Sequence, residues 1–319
     1  MPHITAVGAC YLDTILTIPH YPPEDAKLRS TSLSRRRGGN GPNTLEVLSQ
    51  LSPPPSLSLS LITILPSHSS PATQEVQTSL PAVDISHSIF REGFTEAASS
   101  YVLRSLETGS RTIVNFNELP EMTAEELKGK VGEVCGEEGE GEGQWWHFEG
   151  RIPDVTLACV QHLRARFPEA KISVEAENPT REGLEEVTRL ADVVFYSKSW
   201  AVSKGFTGAE SMRAFLEAQA AGAKNGALLC LTWGSLGAAA LDCETSQFEY
   251  VHAWRYEGRA AVDTIGAGDT FVAGMLYCEN VRCGDWSLKE KLAFANELAG
   301  RKVLQEGFAG LGDAMQDLL

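Results

Sequence analysis

The segment Asp263-Thr264-Ile265-Gly266-Ala267-Gly268-Asp269-Thr270-Phe271 places a carboxylate directly after two glycines, at the start of an apolar-periodic helix. Gly266, Ala267 and Gly268 read as an anion hole. Glycines let main-chain N–H groups converge on an anion, and a helix N-terminus adds a favourable dipole. The same dipole is expected to lower the pKa of Asp269, leaving it ionised and able to accept a hydroxyl proton. A base and a cradle for phosphoryl charge then sit within one turn. Taken alone, the string serves equally well as a glycine turn whose Asp stabilises a helix start.

A second group is Arg37-Gly38-Gly39-Asn40-Gly41-Pro42-Asn43, followed by a helical pattern to Leu51. Gly39 permits close backbone approach, and Asn40 and Asn43, three residues apart, can face a polyol together. Each amide both donates and accepts, as a sugar hydroxyl does. An Asn-rich N-cap turn is the plain alternative. Asp13 ends the apolar run from Val7, and ligands collect at the C-terminal ends of strands in open α/β sheets. A loop-facing Asp is the alternative there.

These residues need a sheet with helices on it. After about residue 145, short apolar runs alternate with helical patterns, which predicts an α/β fold with a mainly parallel sheet. Strands are expected at Ile4 to Leu16, Leu59 to Leu65, Trp145 to Glu149, Lys171 to Glu177, Asp192 to Ser197 and Ala227 to Thr232. Helices are expected at Pro153 to Arg166, Arg181 to Leu190 and Ala209 to Gly222, and from about Gly268 and Leu288. Two β-prone stretches within about 14–36 and 89–106 would pair as a small antiparallel lid. The acidic tract from Gly136 to Gly143 has nothing to bury and reads as a surface loop.

A net charge of −15, from 42 acidic against 27 basic residues, disfavours nucleic acid and anionic membranes as partners. The seven cysteines are scattered and never spaced Cys-x-x-Cys, so they read as reduced thiols. The N-terminus lacks a basic segment before an apolar one and reads as a strand rather than a leader, which places the protein in the cytoplasm. The sequence contains no Gly-x-x-x-x-Gly-Lys-Ser/Thr, Gly-x-Gly-x-x-Gly or His-Glu-x-x-His string. The histidines, including His147 between Trp146 and Phe148, read as packing or surface residues.

The string from Asp263 to Phe271 resembles the C-terminal signature Asp-Thr-x-Gly-Ala-Gly-Asp-x-Phe of the ribokinase or PfkB carbohydrate kinase family, matching every specified position. Gly38-Gly39 with Asn43 resembles the family's Gly-Gly-x-x-x-Asn motif, and Gly8 with Asp13 its first strand. Five further segments, in order and at similar spacing, make the chain resemble the ketohexokinase branch: Tyr21 to Asp25, Gly109 to Ile113, His147 to Arg151, Ser173 to Glu177 and Ala191 to Lys198. The resemblance implies a ribokinase-like three-layer sandwich over 1–319 with a small antiparallel β lid. It implies transfer of the γ-phosphoryl group of ATP to a sugar hydroxyl, with Asp269 as base. Asp13, Gly39, Asn40, Asn43 and Asp269 would bind the sugar. Arg111, Gly234, Gly237, Gly266 and Gly268 would bind ATP.

Mg²⁺ is implied on the nucleotide, a monovalent cation such as K⁺ beside Asp263 and Thr264, and a homodimer joined through the lid sheets. Asp25 would reach the sugar of the other subunit. No protein metal ligand is implied, because Ser197-Lys198-Ser199-Trp200 replaces the Asn-x-x-Glu motif of many relatives. Pro66-Ser67-His68-Ser69-Ser70-Pro71 likewise replaces a Gly-x-Asp turn. The acceptor is expected to be a ketohexose. Ribose, a nucleoside, or a silent sugar sensor on the same fold are the alternatives.

Overall fold

The computed structural model describes residues 1–51, 56–136, 143–255 and 258–319. The acidic tract, apart from Gly136 and Gly143, lies outside the described residues, as does the middle of the Ser49–Ser58 stretch.

The strands of the first half are β1 (His3–Val7), β2 (Tyr11–Ile18), β3 (Ser32–Gly38), β4 (Ser58–Ile62), β5 (Ile64–Pro66), β6 (Ile89–Arg91), β7 (Ser99–Ser105) and β8 (Arg111–Phe116). Those of the second half are β9 (Gln144–Phe148), β10 (Lys171–Ala176), β11 (Val193–Ser197), β12 (Leu228–Thr232), β13 (Ala238–Asp242) and β14 (Phe248–Val251). The helices are α1 (Asn40–Leu51), α2 (Pro71–Ser79), α3 (Ala124–Cys135), α4 (Pro153–Arg166), α5 (Leu184–Thr188) and α6 (Lys198–Ser203), then α7 (Met212–Ala220), α8 (Ala267–Val281), α9 (Leu288–Lys302) and α10 (Leu311–Ala314).

Eight strands form the main sheet in the order β14-β13-β12-β11-β10-β9-β1-β4. From β4 to β12 every pairing is parallel; β13 and β14 close the far edge antiparallel. Strands buried on both faces lack the in-out alternation of a half-exposed sheet, which is why β11 (Val-Val-Phe-Tyr-Ser) and β12 (Leu-Leu-Cys-Leu-Thr) are almost continuously apolar. One face is covered by α1, α8, α9 and α10 through a core that includes Leu45, Leu48, Phe271, Met275 and Leu298. The other is covered by α3, α4, α5 and α7 through Leu127, Leu163, Val187 and Phe215. Helix α8 is buried without a break from Asp269 to Cys278, and Gly274 lets α9 approach it. A Cβ at Gly274 would lie 2.7 Å from Ala295 Cα.

The small sheet runs β3-β2-β7-β8. Its outer pairs are antiparallel, and its central pair, β2 with β7, is parallel. The expected strand from Ile4 to Leu16 is two strands: the chain leaves the main sheet at Gly8–Cys10 and enters the lid as β2. Gly8 is small there because Glu149 fills the space, its Oε2 lying 2.6 Å from where a Cβ would stand. Leu59 to Leu65 likewise splits into β4 and β5, and β6 pairs with β5 rather than joining the lid. The lid's last strand, β8, lies beyond the expected boundary, after a turn in which Gly109 has φ +68°. The helix expected from Arg181 is shorter, starting after Gly183, whose φ is +85°.

Candidate active site

The loop before α8 is pinned from both sides. Asp263 Oδ1 accepts from the Ile265 N–H at 3.0 Å, and its Oδ2 accepts from Lys302 Nζ at 2.9 Å and Arg36 Nη1 at 3.3 Å. Lys302, fully buried at the end of α9, also donates to the Asp263 carbonyl at 2.9 Å. Those are the oxygens beside which the resemblance places a monovalent cation. Gly266 has φ +77°, and a side chain there would run into the Phe308 ring. The Ala267 N–H is turned to the Thr264 carbonyl at 3.3 Å, leaving the first-turn N–H groups of Gly268 and Asp269 as the open donors.

Asp269 meets the start of α1. Asn43 Nδ2 donates to its Oδ2 at 2.7 Å, and Thr44 Oγ1 donates to its carbonyl at 3.2 Å. Asn43 is itself oriented by Arg37 Nη1, which donates to its Oδ1 at 2.9 Å, while Arg37 Nη2 pairs with Glu46. This leaves little freedom in the Asn43 amide. Gly39, at φ +108°, packs its Cα against the Ala9 carbonyl, so the α1 N-terminus lies directly beside the β1–β2 turn. Asp13 sits in β2 with its Oδ2 2.6 Å from the Cβ position of Gly38. Its pKa is raised by burial, with Ser100, Arg36 and Arg37 opposing.

Asn40 is engaged elsewhere. It donates to Glu175 Oε2 at 3.0 Å and Glu177 Oε2 at 3.2 Å. Glu149, at the end of β9, accepts from the Ala9 N–H at 2.7 Å. Two buried carboxylates, Glu149 and Glu175, thus lie behind the candidate site without an arginine or lysine bonded to their side chains among the described residues, while Glu177 is exposed. Burial, then Glu175, raises the Glu149 pKa from 4.5 to about 7. Burial, then Glu177, raises the Glu175 pKa from 4.5 to about 8. Asp269 is also raised well above its ordinary value, foremost by burial and next by Glu175, with the Asn43 bond opposing.

That corrects the expected lowering of Asp269. A helix N-terminus contributes about 0.3–1 kcal/mol to an anion, whereas desolvating a carboxylate costs several kcal/mol. Burial wins, and the neighbouring acids add to it.

Between pH 4.5 and about pH 7 to 8, Glu149 and Glu175 bind more protons in the folded chain than in the unfolded one. Their contribution is complete below the unfolded pKa and is lost as pH rises through the folded ones. The melting temperature is therefore expected to fall between pH 4.5 and about pH 8, and to fall less in Glu149→Gln. Calorimetry of both proteins at constant ionic strength checks this; parallel curves would refute it.

Two cavities meet at Thr232, Gly268 and Phe271. The larger, about 530 Å³, runs from Gly234 and Gly237 past Trp254 to Ala299, Gly300 and Val303. Gly237, at φ +111°, admits close passage of the Val251 carbonyl. Asn296 Nδ2 donates to the His252 carbonyl at 2.8 Å, so its Oδ1 is the acceptor left for a ligand. The smaller cavity, about 150 Å³, holds Asn40, Glu175, Glu177 and Asp269. Asp269 therefore stands beside the seam between a large, mostly apolar cavity and a small one into which Asn40 and several carboxyl groups are gathered.

Of the residues picked from the sequence, Asn43 touches Asp269 directly, Gly266 to Gly268 form its loop, and Gly234 and Gly237 line the larger cavity. Arg111 is not brought in: it is exposed at the start of β8 and lines neither cavity. Arg37, Glu149, Glu175, Glu177 and Lys302 were missed. The available signal was Ser173-Val174-Glu175-Ala176-Glu177, where acids alternate along what must be a buried parallel strand. Among the described residues, no group of three His, Cys, Asp or Glu is poised to hold a metal ion, and no helix is long and apolar enough to cross a membrane.

A mainly parallel sheet between two helical layers, a four-stranded lid, and a glycine loop delivering an Asp to an Asn-bearing helix start together define a ribokinase-like carbohydrate kinase. The chain belongs to the pfkB family of carbohydrate kinases, whose model it matches over residues 1–311. It is 32% identical to mouse ketohexokinase over 323 residues, covering 97% of this chain and 98% of that protein. Solved structures with the same fold include the ribokinase of Giardia lamblia (TM-score 0.75, 16% identity, covering 100% of this chain and 99% of that one). Another is Arabidopsis thaliana ribokinase complexed with ribose and ATP (TM-score 0.74, 15% identity, covering 99% and 98%).

Proposed function

We propose that this kinase transfers the γ-phosphoryl group of ATP to a hydroxyl of a ketohexose such as fructose. The observation that carries the reading is the position of Asp269: hydrogen-bonded to Asn43, it stands where a nucleotide-sized cavity meets a small one that holds Asn40, Glu175 and Glu177. ATP would lie along the larger cavity, its 6-amino group meeting Asn296 Oδ1 and its γ-phosphate over the Gly268 and Asp269 N–H groups. Asp13, Gly39, Asn40 and Asn43 would hold the sugar. The raised Asp269 pKa suits the role, because a base works best when its pKa approaches the operating pH. Arg111 would add charge stabilisation when the lid lies over the cleft. The similarity to mouse ketohexokinase supports a ketohexose as acceptor.

Mg²⁺ would arrive on the nucleotide. A cation that keeps several waters and phosphate oxygens needs only one or two carboxylates, and Glu177 in the smaller cavity fits that demand while Asp269 stays free to act as the base. It would neutralise charge on the transferring group. K⁺ beside Asp263 would have to share two oxygens with the Lys302 ammonium and is no part of the proposal. ADP release measured with fructose, ribose, fructosamine-type sugars and adenosine tests the acceptor: fructose is expected to give the highest kcat/KM, and a preference for ribose or adenosine would overturn it.

A homodimer through the lid is also proposed. Leu33, Tyr101, Val114 and Phe116 lie on one face of the small sheet and are 58%, 50%, 60% and 48% exposed. An apolar sheet face of this kind seeks a partner. Sedimentation is expected to give a dimer that Tyr101→Asp with Val114→Asp converts to monomer; a monomeric wild type would refute it.

A further inference from the structure

A row of polar side chains crosses the buried face of the main sheet behind Asn40. Trp145 Nε1 donates to Ser173 Oγ at 2.8 Å, Ser173 Oγ lies 2.9 Å from His147 Nδ1, and His147 Nε2 lies 3.2 Å from Glu175 Oε1. The other oxygen of Glu175 accepts from Asn40 at 3.0 Å. His147 and Ser173 are partners across the parallel β9–β10 pair, so the row is fixed by strand register. His147 and Ser173 are fully buried and Glu175 is 6% exposed. Polar groups held that deeply in a sheet cost free energy unless they are bonded, and these are bonded end to end.

The row acts on one amide. Asn40 Nδ2 has two hydrogens and two carboxylate acceptors, Glu175 and Glu177, so both its donors are engaged. Turning the amide over would set its oxygen against Glu177 Oε2, another acceptor. Its free group is therefore Oδ1, an acceptor.

We propose that Glu175, steadied by His147, is a positioning residue for the kinase reaction: it fixes Asn40 with the amide oxygen toward the acceptor sugar, so that Asn40 reads a hydroxyl hydrogen. This rests on the sugar-kinase reading above. Glu175 need not touch the sugar. Its effect passes through Asn40, which makes the two residues energetically dependent on each other.

The test is a double-mutant cycle on full-length protein, with KM for fructose and for ATP measured separately. Glu175→Leu is expected to raise the fructose KM about tenfold and leave the ATP KM within about twofold, the size of one net hydrogen bond. Glu175→Gln, whose carbonyl still accepts from Asn40, is expected to stay within about twofold of wild type. His147→Phe is expected to move the fructose KM in the same direction by less. In an Asn40→Ala background, Glu175→Leu is expected to add almost nothing. Equal effects of Glu175→Leu in both backgrounds would overturn the proposal, as would Gln behaving like Leu. If Glu175→Leu does not fold, His147→Phe takes its place in the cycle. Wild-type protein without any sugar-dependent ADP release would instead refute the kinase reading, before the variants are compared.

Discussion

Asp269→Asn is expected to lower sugar-dependent ADP production by about 10²–10⁴-fold while nucleotide binding is retained, the range for losing a positioned general base. Asparagine keeps the size of the side chain and can still meet Asn43 through its amide. What it lacks is a site for the hydroxyl proton. The carboxyl also ties activity to pH. Burial and Glu175 raise its pKa, so the acidic limb of kcat/KM for free enzyme should lie well above the value near 4 of an ordinary Asp. Activity should be lost as pH falls through that limb. A pH–rate profile with fructose checks the position, and full activity in Asp269→Asn would remove it from the mechanism.

The second large effect is expected at Gly39. Its φ of +108° is a conformation that an L side chain rarely adopts, and a methyl group would collide with the Ala9 carbonyl oxygen. Backbone strain of this kind costs about 1–3 kcal/mol. Relief requires the β1–β2 turn and the α1 N-terminus to separate, moving Asn40 and Asn43 together. A displacement near 1 Å in a reacting site can cost about 10²-fold in rate. Gly39→Ala is therefore expected to lose both stability and about two orders of magnitude in kcat/KM. Thermal unfolding and kinetics on the same preparation decide it. A variant with wild-type melting and turnover would show that this close approach is not required.

The parts of the site visible in the sequence are those carried by short motifs. Gly266 to Asp269 and Asn43 were legible because each falls on a motif that resembles the family's, whereas the local chemistry alone left a helix-start turn as an alternative at both places. The protonation of Asp269 was not legible. It depends on Glu149 and Glu175, which approach only after β9 and β10 pair, and that long-range burial outweighs the local dipole. His147 was read as a packing residue because a lone histidine between aromatics carries no sign of a partner. Its bonds to Ser173 and Glu175 come from the register of the parallel pair. Among the elements, strands interrupted by a glycine or threonine were merged, since an apolar run gives no sign of which sheet each half joins. The lid's edge strand β8 was overlooked because its side chains are exposed throughout and it lacks a buried face to set a pattern.

The bond between Asn43 and Asp269 joins residues 226 apart in sequence. During synthesis, the helix bearing Asn40 and Asn43 emerges long before the acid it must meet, and the lysine that anchors the loop of that acid follows 39 residues after Asp263. A nascent chain can thus build most of the central sheet while still unable to assemble the reacting groups. Chemistry would begin only once the last long helix has left the ribosome, because Lys302 and the α9 core residues Leu292 and Leu298 are needed to seat the loop and cover that face of the sheet.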